Sequence, residues 1–570
     1  MTIQAVKRPD RQYFPNDLVF ENWQSVQEFY ASLQASTVEH LDSLMEFIAK
    51  RSELDKIVEE AYRWFYVKMT CDTENEVYKN AYESFITDTM PELMKVSNEL
   101  NLKVYQSPAF NQLDENRFFI YKRGLKSAIE LYREENIPLF QEEQLKAQEF
   151  GSISGQMTIE HDGKDITLSQ AAVFLQNEDR NLRQTVYEKI QNRRFQDKDK
   201  LQQLFSDLVQ IRHKIALNTG FENYRDYKLA ELGRFDYSVK DCEAFHESIE
   251  KVVIPVVNKI YEKRKQNLNL EQLKPYDLDV NENGGTPLHP YQTEQEFKDK
   301  SIACLNSVDS YFAECISIMD KMDYLDLSSR KGKAPGGYNM TLPEIGIPFI
   351  FMNGAGTQRD VETMVHEAGH AVHSFLMRDL AYNFDGEITS EVAELASMSM
   401  EFFTYDGLNF FYNEEDKRKA IQTHLKGVIS MLPWIALIDK FQHWIYTNPH
   451  HSVEERTATW NEFFSRFSSK VTDWSDYQMF KDIVWQKQLH LFEVPFYYIE
   501  YGIAQLGSIG MYRNYLTDKA STVQNYKKAL SLGYTKTIPT MYETAGVKFD
   551  FSTENVQSLV DFVAKKIDGF

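Results

Sequence analysis

The sequence predicts a large, mainly α-helical protein, and three observations carry that expectation. Only 24 Gly and 16 Pro punctuate 570 residues, so turn signals are sparse. Stretches such as "SVQEFYASLQASTVEHLDSLMEFIAKRSELDKIVEEAYRWF" space apolar residues three and four apart, the period of a helix buried on one face. Apolar residues make up 42% of the chain and aromatics 14%, enough for an extensive core and for the walls of a deep cleft. At this length a single core stops growing, so a two-lobed helical architecture is expected.

Taken in order, the first 150 residues read as helices. Around residues 149 to 168, "EFGSISGQMTIEHDGKDITLSQ" alternates apolar and polar residues about an Asp-Gly turn, which predicts a β-hairpin closed before a Ser-initiated helix. A loose boundary follows: an N-terminal helical lobe over 1–195 and a second domain over 196–570. "LNLEQLKPYDLDVNENGGTPLHPY" is the most loop-like connector. Residues 332 to 357, "GKAPGGYNMTLPEIGIPFIFMNGAGT", combine paired glycines with the apolar run "IPFIFMN" and predict a strand or small β-ribbon. Thr357 with Asp360 is a capping-box signature, so a helix is expected to begin there and run through Phe375 or beyond. No internal repeat of fixed period is apparent.

Charge and cysteine usage narrow the function classes. Lys and Arg number 63 against 85 Asp and Glu, and 63 − 85 = −22 gives a field that repels nucleic acid and anionic lipid. The cysteines Cys71, Cys242, Cys304 and Cys315 lie far apart with no C-x-x-C, which suggests neither a disulfide framework nor a thiolate zinc cluster. A reducing, cytoplasmic compartment fits. "MTIQAVKRPDRQYF" lacks the apolar run of a signal peptide, and "GVISMLPWIALI" is too short by itself to span a bilayer, so no membrane partner is expected.

The chemistry concentrates in "MVHEAGHAVHSF". Val361, Met364, Val365, Ala368, Val372 and Phe375 form one apolar stripe at helical spacing. At about 100° per residue, His366, His370 and His373 fall within roughly 60° of one another on the opposite side. A helix packed by one face would present all three to solvent or a cleft. Imidazoles at i and i+4 can converge on one cation, and Glu367 between them can reach a metal-bound water, the H-E-x-x-H arrangement of zinc hydrolases. The metzincin pattern would need Gly at 373 and His at 376; those positions hold His373 and Leu376, so His373 takes a supporting or structural role.

Catalytic zinc takes a third protein ligand and keeps one position for water. The next helix, "GEITSEVAELASMSMEFFTY", places Glu391 inside its apolar stripe and Glu394 and Glu401 at the stripe's edge. A carboxylate there is costly to bury without a cation. Glu394 and Glu401 are seven apart and share a face, so one can ligate while the other hydrogen-bonds a ligand histidine. Spacing alone leaves the choice open.

Together these segments resemble the thimet oligopeptidase and oligoendopeptidase F family of zinc metallopeptidases. "GKAPGGY", "PFIFMNGAGTQRDVETMVHEAGHAVHS" and "AELASMSME" are similar to that family's segments in the same order. So are "DITLSQAAVFLQNEDRNLRQTVYE", "GFENYRDYKLAE" and "LGYTKTIPTMYETAGVKFDF", most of all to oligoendopeptidase F, over roughly residues 150 to 560. The resemblance implies one Zn²⁺ per chain held by His366, His370 and Glu394, with Glu367 as general base and Glu401 behind the ligands. It also implies a His and two to three Tyr opposite the metal, and "HLFEVPFYYIEYG" supplies His490, Tyr497, Tyr498 and Tyr501. Tyr498 and Tyr501 are then the transition-state donors, with His490 beside them and Tyr497 toward substrate.

The implied activity is endoproteolysis of short, unfolded oligopeptides in a helix-walled channel. An apolar strand such as "IPFIFMN" could pair its free backbone groups with an extended peptide. Gly336 and Gly337 suit a loop that closes on the substrate backbone, with Tyr338 as a contact. The alternatives are a carboxypeptidase or dipeptidase on a similar scaffold, and a non-catalytic zinc-containing peptide-binding protein. Glu367 argues against the last, because a structural site needs no base. The sequence leaves monomer or dimer open.

Overall fold

The computed structural model describes residues 6–285, 287–330, 332–334 and 336–569. The fold is mainly α, as the sparse turn signals predict. The chain forms two compact units, each assembled from three segments. The first comprises Met1–Ile137, Leu288–Ile421 and Ile503–Phe549; the second comprises Pro138–Pro287, Gln422–Gly502 and Asp550–Phe570.

In the first unit, Leu44, Phe47, Leu54 and Val58 of the long helix Leu41–Cys71 lie in one buried cluster with Val96, Leu100 and Val104 of the helix Met90–Tyr105. Spacings of three, four and seven on the first helix and of four on the second make each set one face. The C-terminal end of Leu41–Cys71 covers a three-stranded sheet. Val67 and Trp64 meet Phe349, Phe351, Tyr338 and Met340 there.

The sheet order is β3 (Leu325–Ser328), β5 (Ile347–Gly354), β4 (Tyr338–Leu342). β5 pairs parallel with β3 and antiparallel with β4. Ile347 to Met352 are all buried, which explains a continuous apolar run rather than an alternating one. The expected role of "IPFIFMN" as a strand with free backbone groups is therefore corrected: β5 is the central strand, and its ladder is filled from both sides. β4 has one partner strand among the described residues.

In the second unit, β1 (Thr158–His161) and β2 (Lys164–Thr167) form the antiparallel hairpin. Asp162 and Gly163 both have positive φ, 51° and 73°, as a two-residue turn matching strand twist requires. The hairpin is shorter than its sequence pattern predicts. Residues up to Gly155 belong to the helix Ile137–Gly155, with Phe150 and Ile153 buried three apart. The following helix, Leu168–Ala172, starts from Thr167 rather than Ser169: Gln170 N–H donates to Thr167 Oγ1 at 3.2 Å, and Gln170 Oε1 accepts from Thr167 N–H at 3.0 Å.

"GVISMLPWIALI" is part of a much longer element, the helix Glu414–Thr447, which contains Pro433. By length and composition this helix could cross a membrane, contrary to the reading of the short segment alone; 56% of its most apolar 18-residue window is buried within the protein.

Candidate metal centre

The helix Gln358–Met377 starts where its capping box predicts. Asp360 Oδ2 accepts from Thr357 N–H at 2.7 Å, from Ala355 N–H at 2.9 Å and from the Tyr291 hydroxyl at 2.8 Å. Val361, Met364, Val365, Ala368 and Val372 are buried along the predicted stripe. The helix is packed on more than that side, by β5, β4 and the helices Ser310–Lys321, Ser390–Phe403 and Lys519–Leu530. One-faced packing therefore fails at one residue. His366 and His370 are half-buried, but His373 is 1% exposed, and its ring faces the backbone of Leu530. Burial pushes the His373 pKa down to about 3, so it stays neutral and structural.

The helix Ser390–Phe403 lies against this one at unusually close range, and Gly369 is the reason. A Cβ on Gly369 would stand 2.5 Å from Ser397 Cα and 2.8 Å from the Ala396 carbonyl oxygen. The second helix is anchored from behind: Tyr526 Oη donates to the Ala396 carbonyl and Tyr542 Oη to the Glu391 carbonyl, both at 2.9 Å. These contacts bring the acidic face to the histidines.

Glu394 Oε2 lies 3.3 Å from His366 Nε2 and 3.9 Å from His370 Nε2, and Ser397 Oγ donates to the same oxygen at 3.1 Å. His366, His370 and Glu394 each offer one donor atom, and the three atoms fall within 4.8 Å of one another. Glu401 Oε1 sits 2.6 Å from His366 Nδ1, on the far side of the ring from Glu394. Glu391 is buried on the same helix but belongs to no such donor group among the described residues. Glu367 is 6% exposed, and its Oε2 has no hydrogen-bond partner among the described residues; its backbone carbonyl accepts from Asn339 Nδ2 of β4 at 3.2 Å.

The electrostatics follow from burial and the two carboxylates. Burial opposes charge on His366, but Glu394 and Glu401 outweigh it and hold the imidazole well above its ordinary range. His370 goes the other way: burial carries it down to about 4, as a neutral ligand requires. Burial raises Glu367 to about 7, with His366 opposing the shift. Such a carboxyl is suited to exchanging protons near neutral pH.

Gly336 has φ of 101°, which favours glycine, and its carbonyl accepts from Asn353 Nδ2 at 2.9 Å. Gly337 follows it into β4, and a Cβ there would lie 3.4 Å from the Phe351 carbonyl oxygen. Tyr338, expected at the substrate, has its hydroxyl 2.6 Å from Thr70 Oγ1 and its ring stacked on Phe351 at 4.8 Å.

In the second unit, the structure gathers His490, Tyr497, Tyr498 and Tyr501 into one aromatic cluster. Ring centroids lie 4.9 Å apart for His490–Tyr498, 5.9 Å for His490–Tyr501, 5.6 Å for Tyr498–Tyr501 and 5.2 Å for Tyr497–Tyr501. Gln488 Nε2 is 2.7 Å from His490 Nδ1. Burial raises the Tyr498 pKa to about 12, so its hydroxyl stays a proton donor. Phe496, buried with φ of 68°, sets the direction of this segment; its N–H donates to Gln442 Oε1 at 2.6 Å. Sequence reasoning missed Phe496, Asn339 and Gly369. Of these only Gly369 carried a signal, a glycine in a helix interior.

Residues 173–560 match the profile of Peptidase family M3, and residues 18–131 match the Peptidase M3 N-terminal domain. An oligoendopeptidase F homolog of Borreliella burgdorferi is 25% identical over 384 residues, covering 65% of this chain and 62% of that protein. Oligopeptidase PepF of Bacillus subtilis is 23% identical over 466 residues, 76% of this chain and 67% of its own length. Among solved structures, a protein assigned as oligoendopeptidase F superimposes with a TM-score of 0.90 at 26% identity, covering 98% of each chain. PZ peptidase A solved with an inhibitor gives 0.91 at 24% identity over 97% of this chain and 98% of its own. With more than half of its length inside the family profile, the chain belongs to peptidase family M3.

Proposed function

We propose that this chain is a zinc-dependent endopeptidase that hydrolyses internal bonds of short, unfolded oligopeptides. The observation that carries the reading is the convergence of His366, His370 and Glu394 within 4.8 Å beside Glu367 Oε2, which has no partner among the described residues. The donor set fits zinc: two imidazoles and one carboxylate leave a fourth position open. Glu401 at His366 Nδ1 fixes the tautomer that turns Nε2 toward Glu394. Bound at this centre, zinc supplies Lewis acidity, lowering the pKa of a coordinated water toward about 7 and polarising the peptide carbonyl.

The protein's own groups do the rest. Glu367 takes the proton of the attacking water at its free Oε2 and returns it to the leaving amine. Following the family resemblance, Tyr498 and Tyr501 donate hydrogen bonds to the developing oxyanion, and His490 positions or assists them. Tyr497 belongs to the same wall. The edge of β4 that has no partner strand among the described residues, where Arg63 already holds the Thr341 carbonyl, offers its remaining backbone groups to an extended peptide, independent of its sequence, and Gly336 and Gly337 lead into that strand. Oligopeptides are the partners in this reading, not nucleic acid or membrane. A cytoplasmic setting suits cysteines that form no disulfide.

The test uses a peptide blocked at both ends. Internal cleavage that stops on chelation and returns with zinc supports the reading. Failure to cut unless one end is free would favour an exopeptidase, and cleavage indifferent to chelation would contradict the metal centre.

A further inference from the structure

Within the second unit, residues of two helices carry metal-ligand chemistry at one-turn spacing. Cys242 and His246 are four apart on the helix Val239–Ser248, and Asp439 and His443 are four apart on Glu414–Thr447, so each pair shares a helix face. All four are buried, at 1%, 2%, 0% and 8% exposure respectively. One donor atom from each of Cys242, Asp439 and His443 falls within 4.8 Å of the others. His246 Nε2 lies 2.7 Å from Asp439 Oδ2, and His443 Nε2 lies 3.2 Å from the same oxygen. The two imidazole rings stand 5.6 Å apart and nearly perpendicular.

A hydrogen-bonded trio explains only part of this cluster. Asp439 Oδ1, His246 Nδ1 and both ring nitrogens of His443 are buried with no aligned hydrogen bond among the described residues. Asp439 is wholly buried, where an uncompensated carboxylate is costly. An anion in such surroundings calls for a cation with directed bonds.

We propose that Cys242, Asp439 and His443 bind a second zinc ion. Asp439 ligates through Oδ1, while His246 donates from Nε2 to Oδ2 and fixes the carboxylate's orientation, as outer hydrogen-bond partners of metal ligands do. Binding releases the Cys242 thiol proton to solvent. Thiolate and carboxylate then cancel the ion's two charges in a buried site, and the sulfur and imidazole donors select zinc over magnesium or calcium. A water takes the fourth position.

The probe is the metal alone, on the full chain. The His366→Ala/His370→Ala variant, stripped and titrated with zinc, is expected to bind one equivalent where the wild type binds two. Adding Cys242→Ser or Asp439→Asn should abolish it. Cobalt loaded into the His366→Ala/His370→Ala variant should show a thiolate-to-metal charge-transfer band that Cys242→Ser removes. The proposal is overturned if that variant binds no zinc. It is equally overturned if fully cobalt-loaded wild type lacks the thiolate band, a measurement that needs no variant to fold.

Discussion

Gly369 meets Ser397 at a distance that leaves no room for a methyl group: a Cβ would stand 2.5 Å from Ser397 Cα. This contact sets how near the two metal-site helices come, and so where Glu394 lies relative to His366 and His370. Gly369→Ala is expected to destabilise the protein by about 1–3 kcal/mol, the usual range for overpacking. It should also weaken zinc binding. Urea unfolding and metal titration check the two effects. Full stability with unchanged affinity would show that the helices part without consequence.

Glu401 acts through His366 Nδ1, at 2.6 Å. Glu401→Gln keeps a hydrogen-bond acceptor but removes the charge, and a loss of about 10- to 100-fold in zinc affinity or activity is expected. Competition against a chelator of known affinity measures it. A change below twofold would reduce Glu401 to a packing role.

Tyr498→Phe and Tyr501→Phe separate the two hydroxyls. The one that meets the oxyanion should lower kcat by about 100- to 1,000-fold with little change in KM. Steady-state kinetics on one blocked peptide decides between them. If both variants retain wild-type kcat, the aromatic cluster around His490 is packing and nothing more.

How much of this was legible in the sequence depended on whether the deciding contact was local. The start of the metal helix was readable because Thr357 and Asp360 lie within one turn. That His366 and His370 share a face was readable because four-residue spacing fixes it whatever surrounds the helix. His373 was misplaced for the same reason: its face is covered by Lys519–Leu530, more than 140 residues further along the chain. Likewise, "IPFIFMN" was recognisable as a strand, but its central place in the sheet depends on β3 and β4, which no local pattern reveals. Cys242 and His246 stood in the sequence at one-turn spacing, and their meaning appears only once Asp439 and His443 face them.

Acid sensitivity is expected to involve Asp277 of the second unit. Burial works to raise its pKa, but Arg180 and Arg183 and the Lys274 N–H outweigh it and hold the carboxyl below its ordinary value. With the folded value depressed, its stabilisation is fully present above the ordinary Asp value of about 3.9 and is lost as pH falls below it. Asp277→Ala leaves Arg183 buried without its partner and should cost about 3–5 kcal/mol. Urea midpoints measured from pH 7 down to pH 3 follow the effect. The wild type should lose part of its advantage over the variant across the acid end of that range, and a constant difference would contradict the assignment.

The most direct test of the central claim is the Glu367→Gln protein, assayed for bound zinc and for hydrolysis of a doubly blocked oligopeptide. Metal content at the His366, His370 and Glu394 centre is expected to equal wild type, with hydrolysis reduced by about 100-fold or more, the scale of a lost general base. Wild-type cleavage by the zinc-loaded variant would contradict that claim.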